Sequence, residues 1–160
     1  MDKTITSEIV VAYAQCPRKA YLLLHSDEVG KSNEYVVILK HQKSISQNSY
    51  LDNLRRQYAD VRPYNDGNLR SESSFLINGI LQGKACEAAC GILTKVLSPS
   101  FLGEHSYEPT IFVGTHQING DQKLELAFIG YILGQIQGKL PAIGKIISLG
   151  LKSHEAPIQI

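Results

Sequence analysis

The chain has 160 residues, 43% of them hydrophobic, and a formal net charge of +1. That length sets one domain as the expectation, and the hydrophobic share suits a packed core rather than a disordered chain. So small a net charge makes no global electrostatic case for nucleic-acid binding; any basic surface must be local.

The three cysteines, Cys16, Cys86 and Cys90, are an odd number without paired metal spacing. Reduced thiols and a cytoplasmic location are therefore expected. Met1 to Thr6 lacks a charged-then-apolar leader, and no apolar run reaches the ~20 residues that span a bilayer. No membrane association is expected.

In chain order, Thr6 or Ser7 can cap a first helix with Ile9, Val10, Tyr13 and Ala14 as its apolar face. Cys16-Pro17 interrupts it, and Pro17 suits the first turn of a second helix running to His25. Asn33 then caps a long helix through about Tyr58, with Tyr35, Ile38, Leu39, Ile45, Leu51 and Leu54 inward. Asp60 to Ser74 carries Pro63, Asp66-Gly67 and several serines, and reads as a loop.

The period then changes. Phe75 to Gln82 and Ala85 to Leu97 read as two strands joined by a tight turn at Gly83-Lys84. A third strand is expected over Tyr107 to Gly114. Asn119-Gly120-Asp121 opens a helix to about Gln137, in which Gly130, Gly134 and Gly138 predict close packing. Lys145 to Leu151 is a fourth strand, and Pro157 to Ile160 part of a fifth. The expected fold class is α/β, a mixed four- to five-stranded sheet flanked by helices.

Two residues carry the chemistry. Glu108 enters a strand where a carboxylate could hold a divalent ion; it also fits an exposed edge acid, since Pro109 removes a ladder donor. Lys123 lies in the first turn of the following helix, where the dipole favours anions. It suits either a solvated lysine or a cation facing phosphate. His41, His105 and His116 have no helical metal spacing and read as polar surface. Arg18 and Lys19 read as a solvated helix face, or as contacts to a DNA backbone.

Ile5-Thr6-Ser7 through Tyr13, with Cys16-Pro17-Arg18-Lys19-Ala20-Tyr21-Leu22, resembles the opening of RecB-like nucleases of the PD-(D/E)XK superfamily, CRISPR-associated exonucleases among them. Tyr107-Glu108-Pro109, Gly114-Thr115-His116, Lys123 to Phe128 and Gly130 to Gly134 carry the same resemblance along the chain. It implies one nuclease-like domain over 1–160, with a helical part over 1–58 and the sheet with its core helix over 75–160. It further implies a Mg²⁺ or Mn²⁺ site and cleavage of DNA, single-stranded or at ends. Glu108 matches the acidic position of the (D/E)xK motif and would be both metal ligand and catalytic residue. The motif lysine falls at Thr110, so Lys123 stands as its replacement or in place of a helical glutamine; Tyr131 follows on the same helix.

Gly91 stands where the resemblance places the metal-binding aspartate, and Glu87 is about 13 Å away along a strand. A weakly held ion and impaired catalysis are therefore expected. The superfamily's iron–sulfur cluster is not, because no cysteine follows Cys90. Members continue beyond position 160, which implies a shortened copy. The open alternatives are a non-catalytic nucleic-acid-binding or protein-interaction module on the same scaffold, and a decayed fragment. Self-association, or strand addition by a partner, is expected at the C-terminal edge.

Overall fold

The computed structural model describes residues 3–27, 30 and 33–159. A short strand β1 (Ile5–Thr6) leads straight into α1 (Ser7–Gln15), and Pro17 opens α2 (Pro17–His25), where its missing N–H costs nothing. Thr6 stands at the N-cap of α1, but its side chain makes no capping bond. Asn33 does cap α3 (Glu34–Gln57), accepting from the Tyr35 amide at 3.0 Å.

The inward set expected for α3 needs correction. Leu51 and Leu54 are buried, whereas Tyr35, Ile38 and Ile45 are 62%, 52% and 57% exposed. The C-terminal turns of the helix are buried against the sheet, while its first half touches the rest of the chain along a narrower stripe through the half-buried Leu39 and Lys43, which leaves Tyr35, Ile38 and Ile45 outside. The stretch expected as a loop over 60–74 holds β2 (Val61–Pro63) and α4 (Asp66–Arg70), the latter capped by Asn65. Elements of three and five residues are too short to leave a period in the sequence.

The sheet continues with β3 (Phe75–Gly83), β4 (Cys86–Val96) and β5 (Ser106–Phe112) as an antiparallel meander. α5 (Gly120–Gln137) crosses over to β6 (Ile143–Ser148), which runs parallel to β5; β7 (Lys152–Pro157) turns back antiparallel. A parallel neighbour requires such a crossover, and here the helix supplies it. The spatial order is β2-β3-β4-β5-β6-β7, with β1 paired to β4 off that path. The fold is α/β, with an open, mixed, seven-stranded sheet rather than four or five strands. The last strand is also shifted: all six residues of β7 pair with β6, around a turn with positive φ at Gly150 and Leu151.

Alternation along the strands makes two cores. Tyr107, Ile111 and Val113 point to the face covered by α5, with Leu126, Ile129, Ile132 and Leu133. Phe112, Ile92, Ile77 and Ile147 point to the other face, under Leu51 and Leu54 of α3. α5 carries a full capping box, in which Asn119 and Gln122 satisfy each other's amides. Its far end is tied to β5 by Gln137, which is fully buried. The Gln137 amide accepts from the Tyr107 N–H at 2.9 Å and donates to the Tyr107 and Lys139 carbonyls.

Gln137→Leu keeps the bulk but orphans a buried N–H and two carbonyls. Each costs roughly 1–3 kcal/mol. The urea midpoint of this variant is expected to fall by the equivalent of about 3 kcal/mol at an unchanged m-value. An unchanged midpoint would show that water replaces all three bonds.

Candidate functional site

The β3–β4 ladder skips one position. Ile77 pairs with Ile92 and Gly79 with Cys90, while Asn78 and Gly91 stand opposite one another unpaired. Asn78 takes φ 53°, a left-handed conformation that asparagine tolerates better than most residues. The kink turns the strands, so that Leu93 and Cys90, three residues apart, share the α5 face. β5 pairs with β4 only from Ile92 onward and β1 only at Cys86 and Glu87, so this stretch of β4 is open on that side.

A cavity of about 220 Å³ lies at the opening, lined by Gly91, Asn78, Lys43, Gln47, Phe112 and Glu125 among others. Lys43 and Gln47 come from α3 and Glu125 from α5, so side chains of both helices line the split in the sheet. Gln47 donates to the Asn78 side chain at 3.4 Å. Burial pushes the Glu125 carboxyl above its usual range, and the nearby Lys43 ammonium partly opposes this. Burial pushes the Cys90 thiol up to about 12, despite its contacts to the Thr110 and Ile92 carbonyls. Cys90 is thus a protonated, inert thiol at neutral pH.

Of the residues singled out in the sequence for the site, Gly91 lines this cavity, with Cys90 beside it; Glu108, Lys123, Tyr131, Arg18 and Lys19 do not. Glu108 shares the α3 face with Phe112 but precedes it by four residues, about 13 Å along the strand. Burial raises its carboxyl pKa, Lys145 on β6 lowers it and Glu155 raises it. Lys123 is exposed in the first turn of α5, on the opposite face of the sheet. Glu108 and Lys123 are therefore not brought together, and neither reaches Gly91. Tyr131 is 43% exposed on α5, away from the cavity. Arg18 and Lys19 are exposed on α2, where Lys19 donates to Gln15. His105, read as surface, is buried: its Nε2 lies 3.0 Å from the Leu69 carbonyl and its ring packs edge-on to Tyr107.

Sequence reasoning missed Lys43 and Glu125, though their spacing marks them. Lys43, Gln47, Tyr50 and Leu54 follow one helical stripe, as do Glu125, Ile129 and Ile132. A charge on the buried stripe of a helix was the available signal. Lys123, two residues before Glu125, is turned about 200° away from it.

The described residues at this cavity do not supply the donors that Mg²⁺ or Mn²⁺ needs. Such ions need several oxygen donors converging on one point. Among the described residues no group of three or more His, Cys, Asp or Glu could hold a metal. At the cavity one carboxylate faces a lysine and a protonated thiol.

The raised Glu125 pKa carries a stability signature. An acid whose folded pKa lies above its unfolded value favours folding while protonated. That contribution is full below about pH 4.5 and is lost as pH rises through the raised value. Relative to Glu125→Gln, the unaltered chain should therefore lose thermal stability from pH 4 to pH 7. A constant gap across that range would contradict the burial described.

Among the described residues no helix is long and apolar enough to cross a membrane. No family model matches the chain, and none of the curated proteins matches its sequence.

Proposed function

We propose that this chain is a non-catalytic nucleic-acid-binding module built on a RecB-like, PD-(D/E)XK nuclease scaffold. Support for the scaffold comes from the resemblance along the sequence and from the run β3, β4, β5, α5, β6, a meander followed by a helical crossover to a parallel strand. The observation that carries the non-catalytic reading is at Gly91. A Cβ built there would stand 2.7 Å from two ring carbons of Phe112. The ring fills the space that a metal-binding side chain would need, and Glu125 is balanced by Lys43.

Metal-dependent DNA hydrolysis, the reading expected from the motif, would need a second carboxylate at this cavity, and Glu108 lies too far along β5 to supply it. Binding needs less. Lys43 offers a cation, and Gln47 and Asn78 offer amides, at an opening reached from the surface. Within the same proposal, the outer edge of β7 is the place for strand addition. Light scattering that finds only monomers at high concentration would remove self-association there.

Fluorescence anisotropy with a labelled single-stranded oligonucleotide tests the reading. Binding is expected without divalent ions, weakened about tenfold by Lys43→Ala, the loss of roughly one charge-assisted contact. Absence of binding, or equal binding by the folded variant, would contradict it.

A further inference from the structure

The cavity is too evenly charged for a phosphate site. Its volume of about 220 Å³ falls below the ~300 Å³ at which pockets begin to hold whole drug-sized ligands, so it suits a single ring system. Glu125 would repel a phosphate as strongly as Lys43 attracts it. A neutral, planar group with donors on one side and an acceptor beside them answers both charges.

We propose that this cavity recognises a guanine base by its Watson–Crick edge, with Glu125 and Lys43 as the reading pair. A carboxylate presents two acceptors side by side. Among the bases, only guanine carries two adjacent donors, N1–H and the 2-amino group. The acceptor next to them, O6, meets the Lys43 ammonium. Adenine and cytosine would turn a ring-nitrogen lone pair toward the carboxylate, and uracil or thymine would offer one donor between two carbonyls.

Two further observations support the assignment. Glu125 takes part in no side-chain hydrogen bond among the described residues, although it is half-buried. Two N–H donors from a base would supply what burial has removed from it. The lining also offers apolar surface for a ring face: Phe112 is buried in the cavity wall, and Ile80 is 61% exposed beside it. Unstacked bases in single strands are read on such edges between apolar side chains. A base carried by a strand rests on the nucleic-acid reading above; a free nucleoside does not.

Calorimetry of the full chain with guanosine, inosine and adenosine tests the pocket, and anisotropy with oligothymidylate with or without one central dG tests the strand. Guanosine is expected to bind. Inosine, which lacks the 2-amino group, should bind about tenfold more weakly, and adenosine weaker still. Glu125→Gln, checked for folding by circular dichroism, should abolish the preference for guanosine over inosine. The strand with dG should bind more tightly than the strand without it. Guanosine binding with no strand binding would keep the pocket assignment, name a free nucleoside as the source and overturn the strand reading. Strand binding indifferent to dG, with no guanosine binding, would overturn the guanine assignment and leave the nucleic-acid reading standing. Equal binding of guanosine and inosine, unchanged by Glu125→Gln, would also overturn the assignment.

Discussion

Gly91→Asp is expected to destabilise the chain strongly, not to restore a metal site. The clash begins at Cβ, 2.7 Å from the Phe112 ring, so no rotamer of the aspartate relieves it. Phe112 cannot swing aside: it is 2% exposed and meets Tyr50 edge-on at 5.4 Å, with Ile92 and Ile147 around it. Overpacking of this kind costs ~1–3 kcal/mol, and a carboxylate placed without partners adds a few more. A loss of about 4 kcal/mol lowers the melting temperature by roughly 10 °C in a chain of this size. Phe112→Leu should relieve part of the clash, so the double variant should lose less than the sum of the singles. A Gly91→Asp chain that melts normally and binds Mn²⁺ more tightly would show that the ring yields.

Gly114→Ala should be at least as damaging, for a different reason. Its Cβ would run into the backbone carbonyl oxygen of Leu39 and stand 2.9 Å from the carbonyl carbon. Here α3 passes directly over the chain after β5, and main chain meets main chain. No side chain can move to make room, so the helix must shift along its whole contact with the sheet. That would disturb Tyr50, Leu51 and Leu54, and displace Lys43 from the cavity. We expect a loss of about 4 kcal/mol or more, and faster amide exchange through α3 than through α5. Gly120→Ala is the control: nothing lies within 4 Å of its Cβ, and it opens α5, where alanine is a better helix former. Equal stability of the Gly114 and Gly120 variants would mean that α3 does not cross where described.

The large elements were legible because their periods are long. Asn33 and Asn119 announced two helices, and the alternation from Phe75 to Val96 announced a hairpin. β1, β2 and α4 were not legible, since two to five residues cannot establish a period. The first half of α3 shows the opposite failure: Tyr35, Ile38 and Ile45 repeat as a buried stripe would, but they are exposed, and the contact in this half runs through Leu39 and Lys43 instead. Burial of His105 depended on contacts with Leu69 and Tyr107 that no local pattern records. The cavity was half legible. Gly91 is marked in the sequence by what it lacks; Lys43 and Glu125 lie on buried helical stripes, but the split between β4 and β5 that brings them together exists only in three dimensions.

On the proposed reading, the cavity binds nucleic acid without cutting it. The most direct measurement incubates end-labelled single-stranded DNA with the unaltered chain and Mn²⁺, following binding by gel shift and integrity on a denaturing gel. The expected result is a shifted strand that stays intact with or without the ion. Mn²⁺-dependent cleavage, abolished by Glu125→Gln or by Glu108→Ala, would contradict the claim and return the chain to the metal-dependent nucleases.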